Sequence, residues 1–486
     1  MMNLEKILHN VKIEKAFNFR DLDVMGIALD SRKVQEGFIF VAQKGEETDG
    51  HKFIGKAIEN GARAIVFEED LDETVFDSDI IYIKVKKTTS ALGTMASNFY
   101  NDPTKKLKLV GITGTNGKTT TVTLLFRLLQ SMGIRCGLIS TIENRINDTV
   151  IPTERTTPDV LTLHSLLAQM VEEKCEYAFM EVSSHAVVQQ RIAGLSFAGA
   201  VFSNITLDHL DYHKTFSNYI KAKKKFFDDL PSKAFALSNI DDKNGKVMLQ
   251  NTKAKKYYYS LSNASADFRA KVLDNSFEGL DIELNGKEIY SPLIGKFNAY
   301  NLLAIYSVAI LLGLNKEEVL VNLSAMKSAP GRFDCYRLST GAVAIVDYAH
   351  TPDALENVLK TINEINIRNK GKIFCVIGCG GDRDKSKRPI MASIGQKYAN
   401  VLVITADNPR TEKIEDIIED MKQGLKKDKP EKQHFCIPDR REAIKIACTL
   451  SQKNDIVLVA GKGHETYQEI ENKKHHFDDK EEVLKY

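Results

Sequence analysis

The sequence predicts an α/β protein divided into three domains, and three observations predict it. Short apolar runs alternate with helix-spaced apolar patterns along all 486 residues, as layered α/β domains require. One stretch, Val110-Gly-Ile-Thr-Gly-Thr-Asn-Gly-Lys-Thr-Thr-Thr121, joins a buried-type strand to a helix through a glycine-rich turn. In the last third, four apolar runs each end in a polar segment, mostly glycine-rich, the pattern of parallel strands whose loops gather at one edge. The length suits about three domains, here 1–103, 104–332 and 333–486.

The glycine-rich turn is the most informative stretch. Residues 107–112 read as a strand, and Val122, Leu124, Leu125, Leu128 and Leu129 fall on one face of a helix. Strand, glycine turn and helix form the context of a phosphate-binding loop. Gly111, Gly114 and Gly117 allow close approach of the backbone to an anion, and the amides and helix N-terminus point at phosphate oxygens. Thr113, Gly114, Thr115, Asn116, Gly117, Lys118 and Thr119 are therefore expected to cradle the phosphates of a nucleotide, which the resemblance described below implies is ATP. Lys118 would neutralise the β/γ-phosphates and the Thr119 hydroxyl would meet Mg²⁺. The middle domain is thus a P-loop mononucleotide-binding domain.

Composition narrows the partners. Lys plus Arg number 67 against 65 Asp plus Glu, a net charge of +2, without the basic excess of a nucleic-acid-binding protein. Hydrophobic residues make up 43%, enough for substantial cores. The seven cysteines are scattered and form no Cys-x-x-Cys pair, so free thiols in a reducing compartment are expected rather than disulfides or zinc. No apolar signal core opens the chain and no run of about 18 apolar residues occurs. A cytoplasmic location without membrane insertion is the expectation.

In the first domain, residues 37–42 and 62–67 read as strands, with a helix over 52–60 between them. Asp30-Ser31-Arg32 lies before the first of these, and by itself reads as a capping turn. Residues 101–106, with Pro103 and a run of charge, read as a linker.

In the second domain, Thr156-Thr157-Pro158-Asp159 closes a polar stretch before a helix over 160–173. Residues 177–181 form an apolar strand ending in Glu181, which strand polarity aims at the ligand edge. Ser183-Ser184-His185 follows, but adjacent residues do not make a nucleophile–base pair and no Gly-x-Ser-x-Gly surrounds them. Hydrogen bonding to a ligand is the better reading. After a strand over 202–205 stands Asp208-His209-Leu-Asp211-Tyr-His213. Its density suits metal or phosphate duty as well as a structural role. Residues 219–227 carry four lysines, by default a charged helix face. Pro330-Gly331-Arg332 ends the domain in a turn.

The third domain is an alternating, Rossmann-like α/β unit. Strands over 343–346, 372–378, 400–405 and 455–460 end respectively in Asp347-Tyr-Ala-His350-Thr-Pro-Asp353, Gly378-Cys-Gly-Gly-Asp-Arg383, Asp407-Asn408-Pro409-Arg410 and Gly461-Lys-Gly463-His-Glu465. Arg383, Arg410 and Glu465 should converge at one edge. Two guanidiniums there suit a carboxylate-bearing ligand; inter-loop ion pairing is the alternative.

Together these motifs resemble the Mur ligase family over essentially the whole chain. The carriers, in order, are Gly-Thr-Asn-Gly-Lys-Thr-Thr, Glu-Val-Ser-Ser-His, Asp-His-Leu-Asp-Tyr-His, Pro-Gly-Arg and Asp-Tyr-Ala-His-Thr-Pro-Asp. Pro-Gly-Arg is followed here by Phe-Asp, and the pattern is otherwise kept. Thr156-Thr157-Pro158-Asp159, the Gly378 segment and the Gly461 segment are similar to the branch that adds the third residue of the peptidoglycan stem peptide.

The resemblance implies that ATP phosphorylates the free carboxylate of UDP-MurNAc-L-alanyl-D-glutamate and that an amine then displaces phosphate. It implies Lys118, Glu181, His209 and Lys223 as catalytic residues. Thr119 and Glu181 would hold one Mg²⁺ and His209 a second, with Lys223 beside them as a CO₂-derived carbamate. Asn298, Arg332 and Asp347 would hold adenine, phosphate and ribose. Ser31, Thr156, Thr157, Ser183, Gln189 and Arg191 would meet the UDP-sugar peptide. Arg383, Asp407, Asn408, Pro409, Arg410, Gly461 and Glu465 would form the amino-acid pocket. Asp-Asn-Pro-Arg is the form associated with meso-diaminopimelate. Lysine would leave Arg410 without a carboxylate, at about 1–3 kcal/mol or more if buried, whereas meso-lanthionine has the same end groups. A folylpolyglutamate synthetase-like ligase and a non-catalytic nucleotide switch are the rivals. The Asp-Ser-Arg domain and the Asp-Asn-Pro-Arg loop argue against the first, and the carboxylate- and amine-binding loops of the third domain against the second. A monomer is expected.

Overall fold

A computed structural model describes residues 1–45, 48–153, 155–426 and 432–486. Three main sheets draw their strands from successive parts of the chain. The first has five strands, ordered Ile13–Phe17, Ile81–Val85, Ala62–Phe67, Phe38–Val41, Gly26–Ala28, and is parallel except at its first strand. The expected helix over 52–60 is a 3₁₀ turn, Gly50–Phe53, followed by a short helix, Ile54–Glu59. Asp49 caps the amide of His51 at 3.0 Å, and this tightens the first turn. The Asp30-Ser31-Arg32 segment does form a capping turn, with Asp30 accepting from the Arg32 amide.

The second sheet has eleven strands. Its parallel core runs Cys136–Ile139, Tyr177–Glu181, Lys108–Thr113, Gly199–Phe202, Phe235–Asn239 and Lys255–Ser260. The Tyr177–Glu181 strand is buried at every position, as expected for a parallel strand covered by helices on both faces. From Lys108–Thr113 the chain moves first to one side of that strand and later to the other. Its C-terminal end is therefore the switch point at which α/β sheets bind ligands. The helix Lys118–Ser131 starts there and buries Val122, Leu124, Leu125, Leu128 and Leu129, the face expected from their spacing.

One expectation about this sheet shifts. The strand placed at 202–205 is Gly199–Phe202. Ser203 and Asn204 leave the ladder because they pair with the phosphate loop: Ser203 Oγ donates to the Asn116 carbonyl at 2.7 Å, and Asn204 Oδ1 accepts from the Asn116 amide at 2.9 Å. The helix Lys296–Leu311 lies beside this sheet and carries Asn298 and Asn301 three apart on one face.

The third sheet is ordered Asp334–Arg337, Val343–Asp347, Ile456–Ala460, Ile373–Ile377, Val401–Ile404, Gln433–Cys436, all parallel but the first. The loops after Asp347, Ile377, Ile404 and Ala460 consequently leave from one edge. The largest fully buried side chains of the protein include Arg388 and Arg440, both in this domain. Arg440 grips Asp479 with two 2.7 Å hydrogen bonds, and both side chains are 0% exposed. Its guanidinium also donates to the carbonyls of Ala406 at 3.2 Å and Ala460 at 3.1 Å, directly before two of the edge loops. Among the described residues, no helix is long and apolar enough to cross a membrane. All seven cysteines are free thiols.

Asp479→Ala removes the carboxylate paired with the buried Arg440 charge. The C-terminal domain is expected to lose about 3–5 kcal/mol, read as a lower urea midpoint for its unfolding; an unchanged midpoint would contradict the role given to this pair.

Candidate active site

The phosphate loop takes the shape its glycines permit. Gly114 and Gly117 have φ of 154° and 88°, backbone angles that other residues resist. A Cβ on Gly114 would lie 2.0 Å from Ser203 Oγ, and one on Gly117 would lie 2.7 Å from Asn301 Oδ1. Asn301 is in turn fixed by a 3.0 Å hydrogen bond from its amide to Asn298 Oδ1, and Asn298 Nδ2 donates to the Ile294 carbonyl at 2.8 Å. Asn298 thus supports the loop from behind.

Lys118 Nζ donates to the carbonyls of Gly114 and Thr115, each at 2.9 Å. Burial lowers its pKa, while Glu181 and Asp208 oppose the shift. Thr119 Oγ1 donates to Glu181 Oε2 at 3.0 Å, and Glu181 is 1% exposed. The other carboxylate oxygen accepts from the Thr141 amide at 2.7 Å.

Four lysines lie on the helix Phe216–Asp228, and the structure separates them. Lys223 alone is fully buried, at 1% exposure, and its Nζ donates to the Gly114 carbonyl at 2.8 Å. Lys224 pairs with Asp228, Lys225 pairs with Asp229, and Lys221 is exposed. Burial, with Lys118 nearby, pushes the Lys223 pKa well below the ordinary lysine value. A neutral amine is the form that adds to CO₂.

His209, at φ 53°, faces His185 with ring centroids 5.0 Å apart. Burial holds its pKa down to about 4, against the pull of Asp208, so the imidazole is neutral at ordinary pH and has a lone pair to offer. Among the described residues no three His, Cys, Asp or Glu side chains converge as a metal cluster. The hard-oxygen pair Thr119–Glu181 nevertheless fits Mg²⁺, which takes one or two protein ligands and fills the rest with phosphate and water.

Domain three closes over this loop. Asp353 Oδ2 accepts from Asn116 Nδ2 at 3.0 Å and from Thr206 Oγ1 at 2.7 Å. Arg332 Nη2 donates to Thr119 Oγ1 at 3.1 Å, with its guanidinium 4.5 Å from the Tyr348 ring centroid. Among the described residues, Arg332 Nε is buried without a hydrogen-bond partner, a donor left open to an anion. Asp347 accepts from the amides of Phe333 at 2.7 Å and Ala349 at 2.8 Å, and burial raises its pKa.

The residues expected to meet the UDP-sugar peptide fall into two groups. Thr157 Oγ1 donates to the Glu181 carbonyl at 2.8 Å and accepts from the Ser183 amide at 3.3 Å. Arg191 Nη1 donates to the Thr157 carbonyl at 2.9 Å and Nη2 donates to Gln189. Thr156 accepts from Thr141 at 3.1 Å. These five residues form one wall beside Glu181. Ser31 lies instead in the first domain, where its carbonyl accepts from Asn60 at 2.8 Å.

The amino-acid loops meet at the edge of the third sheet. Glu465 Oε2 accepts from Asn408 Nδ2 at 2.8 Å and from Lys462 Nζ at 3.1 Å. Lys462 is 0% exposed and lies 3.7 Å from Asp407 Oδ1. A Cβ on Gly461 would lie 3.3 Å from Asp407 Oδ2. Arg383 and Arg410 flank Gly380: a Cβ there would lie 3.7 Å from Arg383 Cγ and 3.0 Å from Arg410 Nη1. Arg383 is exposed. The inter-loop ion pairing weighed for these arginines occurs at Arg410, which meets Glu469.

Asp353, Asn204, Asn301, Lys462 and Glu469 were not assigned roles from sequence. Asp353 and Lys462 stand inside motifs that were singled out, and strand-end position was the signal that they matter. Asn204 lies just past a strand end, and Asn301 sits three residues beyond Asn298.

Asp353→Ala removes the acceptor for both Asn116 and Thr206. Charge-assisted bonds contribute about 1.5–3 kcal/mol each, so ATP-dependent turnover should fall at least about tenfold, with a larger radius of gyration in solution scattering. Unchanged kinetics and scattering would rule out the bridge.

Three segments match family descriptions: "Mur ligase family, catalytic domain" over residues 23–100, "Mur ligase middle domain" over 112–309, and "Mur ligase, glutamate ligase domain" over 331–463. The chain is 54% identical over 480 residues to a protein of Phocaeicola vulgatus named UDP-N-acetylmuramoyl-L-alanyl-D-glutamate–2,6-diaminopimelate ligase, covering 99% of this chain and 98% of that one. A solved structure of a protein with the same name superposes with a TM-score of 0.71 at 34% identity, covering 100% and 98% of the two chains. MurF ligase from Thermotoga maritima in complex with ADP shares the fold, with a TM-score of 0.59 at 20% identity over 91% and 95%. Its sheets, its glycine loop facing the third domain and its full-length relatives agree: the chain belongs to the Mur ligase family.

Proposed function

We propose that this protein is an ATP-dependent ligase that joins meso-diaminopimelate, or a close diamino diacid such as meso-lanthionine, to UDP-MurNAc-L-Ala-D-Glu through an acyl phosphate. The observation that carries the reading is the meeting of the phosphate loop with domain three. Arg332, from the turn leading into that domain, reaches Thr119, and Asp353 within it reaches Asn116, on the side where Arg383, Arg410 and Glu465 gather. Full-length relatives bearing the diaminopimelate ligase name support the choice of substrate.

The chemistry brings two anions together, the glutamyl carboxylate and the γ-phosphate. Lys118, the loop amides and the Arg332 guanidinium supply positive charge where the phosphoryl group transfers, in a partly desolvated site where such charge acts strongly. Thr119 and Glu181 would hold Mg²⁺, with His209 and a Lys223 carbamate toward a second ion; the metal would neutralise phosphate charge as a Lewis acid. Carbamylation would also turn the Lys118–Lys223 repulsion into attraction. The amine, held by Asp407, Asn408, Pro409, Arg410, Gly461 and Glu465, attacks the acyl carbon; a C–N bond forms, the C–O bond breaks and phosphate leaves. Thr156, Thr157, Ser183, Gln189 and Arg191, with Ser31 on the first domain, would position the UDP-sugar peptide. The free thiols and nucleotide-linked substrates suit a cytoplasmic enzyme, and the reading takes the chain as a monomer.

Continuous ADP production should require both the UDP-dipeptide and an amine, with diaminopimelate far ahead of lysine. Sustained turnover without any amine would favour a nucleotide switch, and lysine preference would overturn the substrate assignment. Lys223→Ala should lose about a hundredfold or more in turnover and recover in part with added short carboxylic acids. Rescue of Lys224→Ala instead would place the modified lysine one residue later.

A further inference from the structure

The hairpin formed by Tyr467–Ile470 and Lys473–His476 grips the amino-acid loop at successive residues. Gln468 Nε2 donates to the Asp407 carbonyl at 2.7 Å, and the Glu469 amide donates to Asn408 Oδ1 at 3.0 Å. The Arg410 amide donates to the Glu469 carbonyl at 3.0 Å, and the Glu471 amide donates to the Arg410 carbonyl at 2.7 Å. Arg410 is held between them at φ 54°, a left-handed angle unusual for arginine.

The side chain of Arg410 is held as well. Its Nε donates to Glu469 Oε2 at 3.1 Å, and its Nη1 donates to the Gly381 carbonyl at 2.7 Å. Two contacts through different nitrogens, one to a side chain and one to the backbone, restrain the guanidinium. Glu469 engages Nε through one oxygen, and among the described residues Nη2 makes no hydrogen bond, which leaves a donor for another carboxylate. A counter-ion meant to neutralise Arg410 would take the two-pronged fork that arginine offers carboxylates.

We propose that Glu469 is a positioning residue that sets preference for a second carboxylate on the amine substrate, by holding Arg410 in its binding orientation before that substrate arrives. The inference rests on the reading of Arg410 as the partner of the distal carboxylate. Arginine has a rotamer-rich side chain, and ordering it in advance removes that cost from binding. A substrate lacking the second carboxylate gains nothing from the arrangement. Orientation and charge competition predict opposite signs, because a competing carboxylate would weaken the distal contact and its removal would strengthen it.

The test compares kcat/KM for meso-diaminopimelate and for L-lysine in the full-length enzyme and in Glu469→Ala, Glu469→Gln and Arg410→Ala. Arg410 and Glu469 side chains are 21% and 24% exposed, so the variants are expected to fold. Glu469→Ala should lower the diaminopimelate-to-lysine ratio about tenfold through KM for diaminopimelate, with KM for ATP and for the UDP-dipeptide within about twofold. Glu469→Gln, which keeps an accepting oxygen, should restore at least half of the ratio. A ratio unchanged or raised in Glu469→Ala would overturn the proposal, as would a glutamine variant as impaired as the alanine one. A ratio unaltered in Arg410→Ala would instead show that the underlying reading of Arg410 is wrong.

Discussion

The site depends on one carboxylate reaching across two sheets. Asp353, in the first turn of the helix Pro352–Asn369, accepts from the phosphate loop through Asn116 and from the segment beside it through Thr206. Arg332 reaches Thr119 from the turn between the two domains. These contacts set the spacing between a nucleotide on the loop and an amine on the third sheet. A loop that binds phosphate but faces solvent would hydrolyse or merely sense ATP. A loop closed by a second domain excludes water and holds a second reactant near the transferred group.

Like charges govern the rest of the site. Lys118 and Lys223 both donate to the Gly114 carbonyl, so two potential cations share one acceptor beneath the loop. Burial and mutual repulsion favour the neutral form of Lys223, and its conversion to an anion would relieve the conflict. Thr119 is likewise shared, donating to Glu181 while receiving from Arg332. The third sheet shows the same economy. Arg440 and Arg388 are buried beneath the edge loops, where Arg388 meets Glu412 and Asp420, and Lys462 stands among Asp407, Asn408 and Glu465. Each buried cation fastens a loop that presents a different group to the cleft.

Features whose cause is local were legible in the sequence. Gly114 and Gly117 announce the loop because no other residue takes those angles beside Ser203 and Asn301. Glu181 was legible because a strand's direction gives its end away. Lys223 needed the likeness to known ligases in the sequence; the structure then separates it from Lys221, Lys224 and Lys225 by burial. Features whose cause is distant were not legible. Asn116 and Asp353 are 237 residues apart, and Arg410 and Glu469 are 59 apart, so neither pairing leaves a local pattern. The early end of the Gly199–Phe202 strand has the same origin, since Ser203 and Asn204 are drawn away by a loop almost ninety residues earlier in the chain, 87 and 88 by sequence.

The central claim is that a phosphoryl group taken from ATP at the loop passes to a substrate carboxylate and is displaced there by an amine held on the third sheet. Labelling the glutamyl carboxylate of the UDP-dipeptide with ¹⁸O and analysing the phosphate released during amide formation tests it most directly. One labelled oxygen should appear in each phosphate, because the carboxylate oxygen that attacks phosphorus leaves with it. Unlabelled phosphate accompanying amide product would contradict the account.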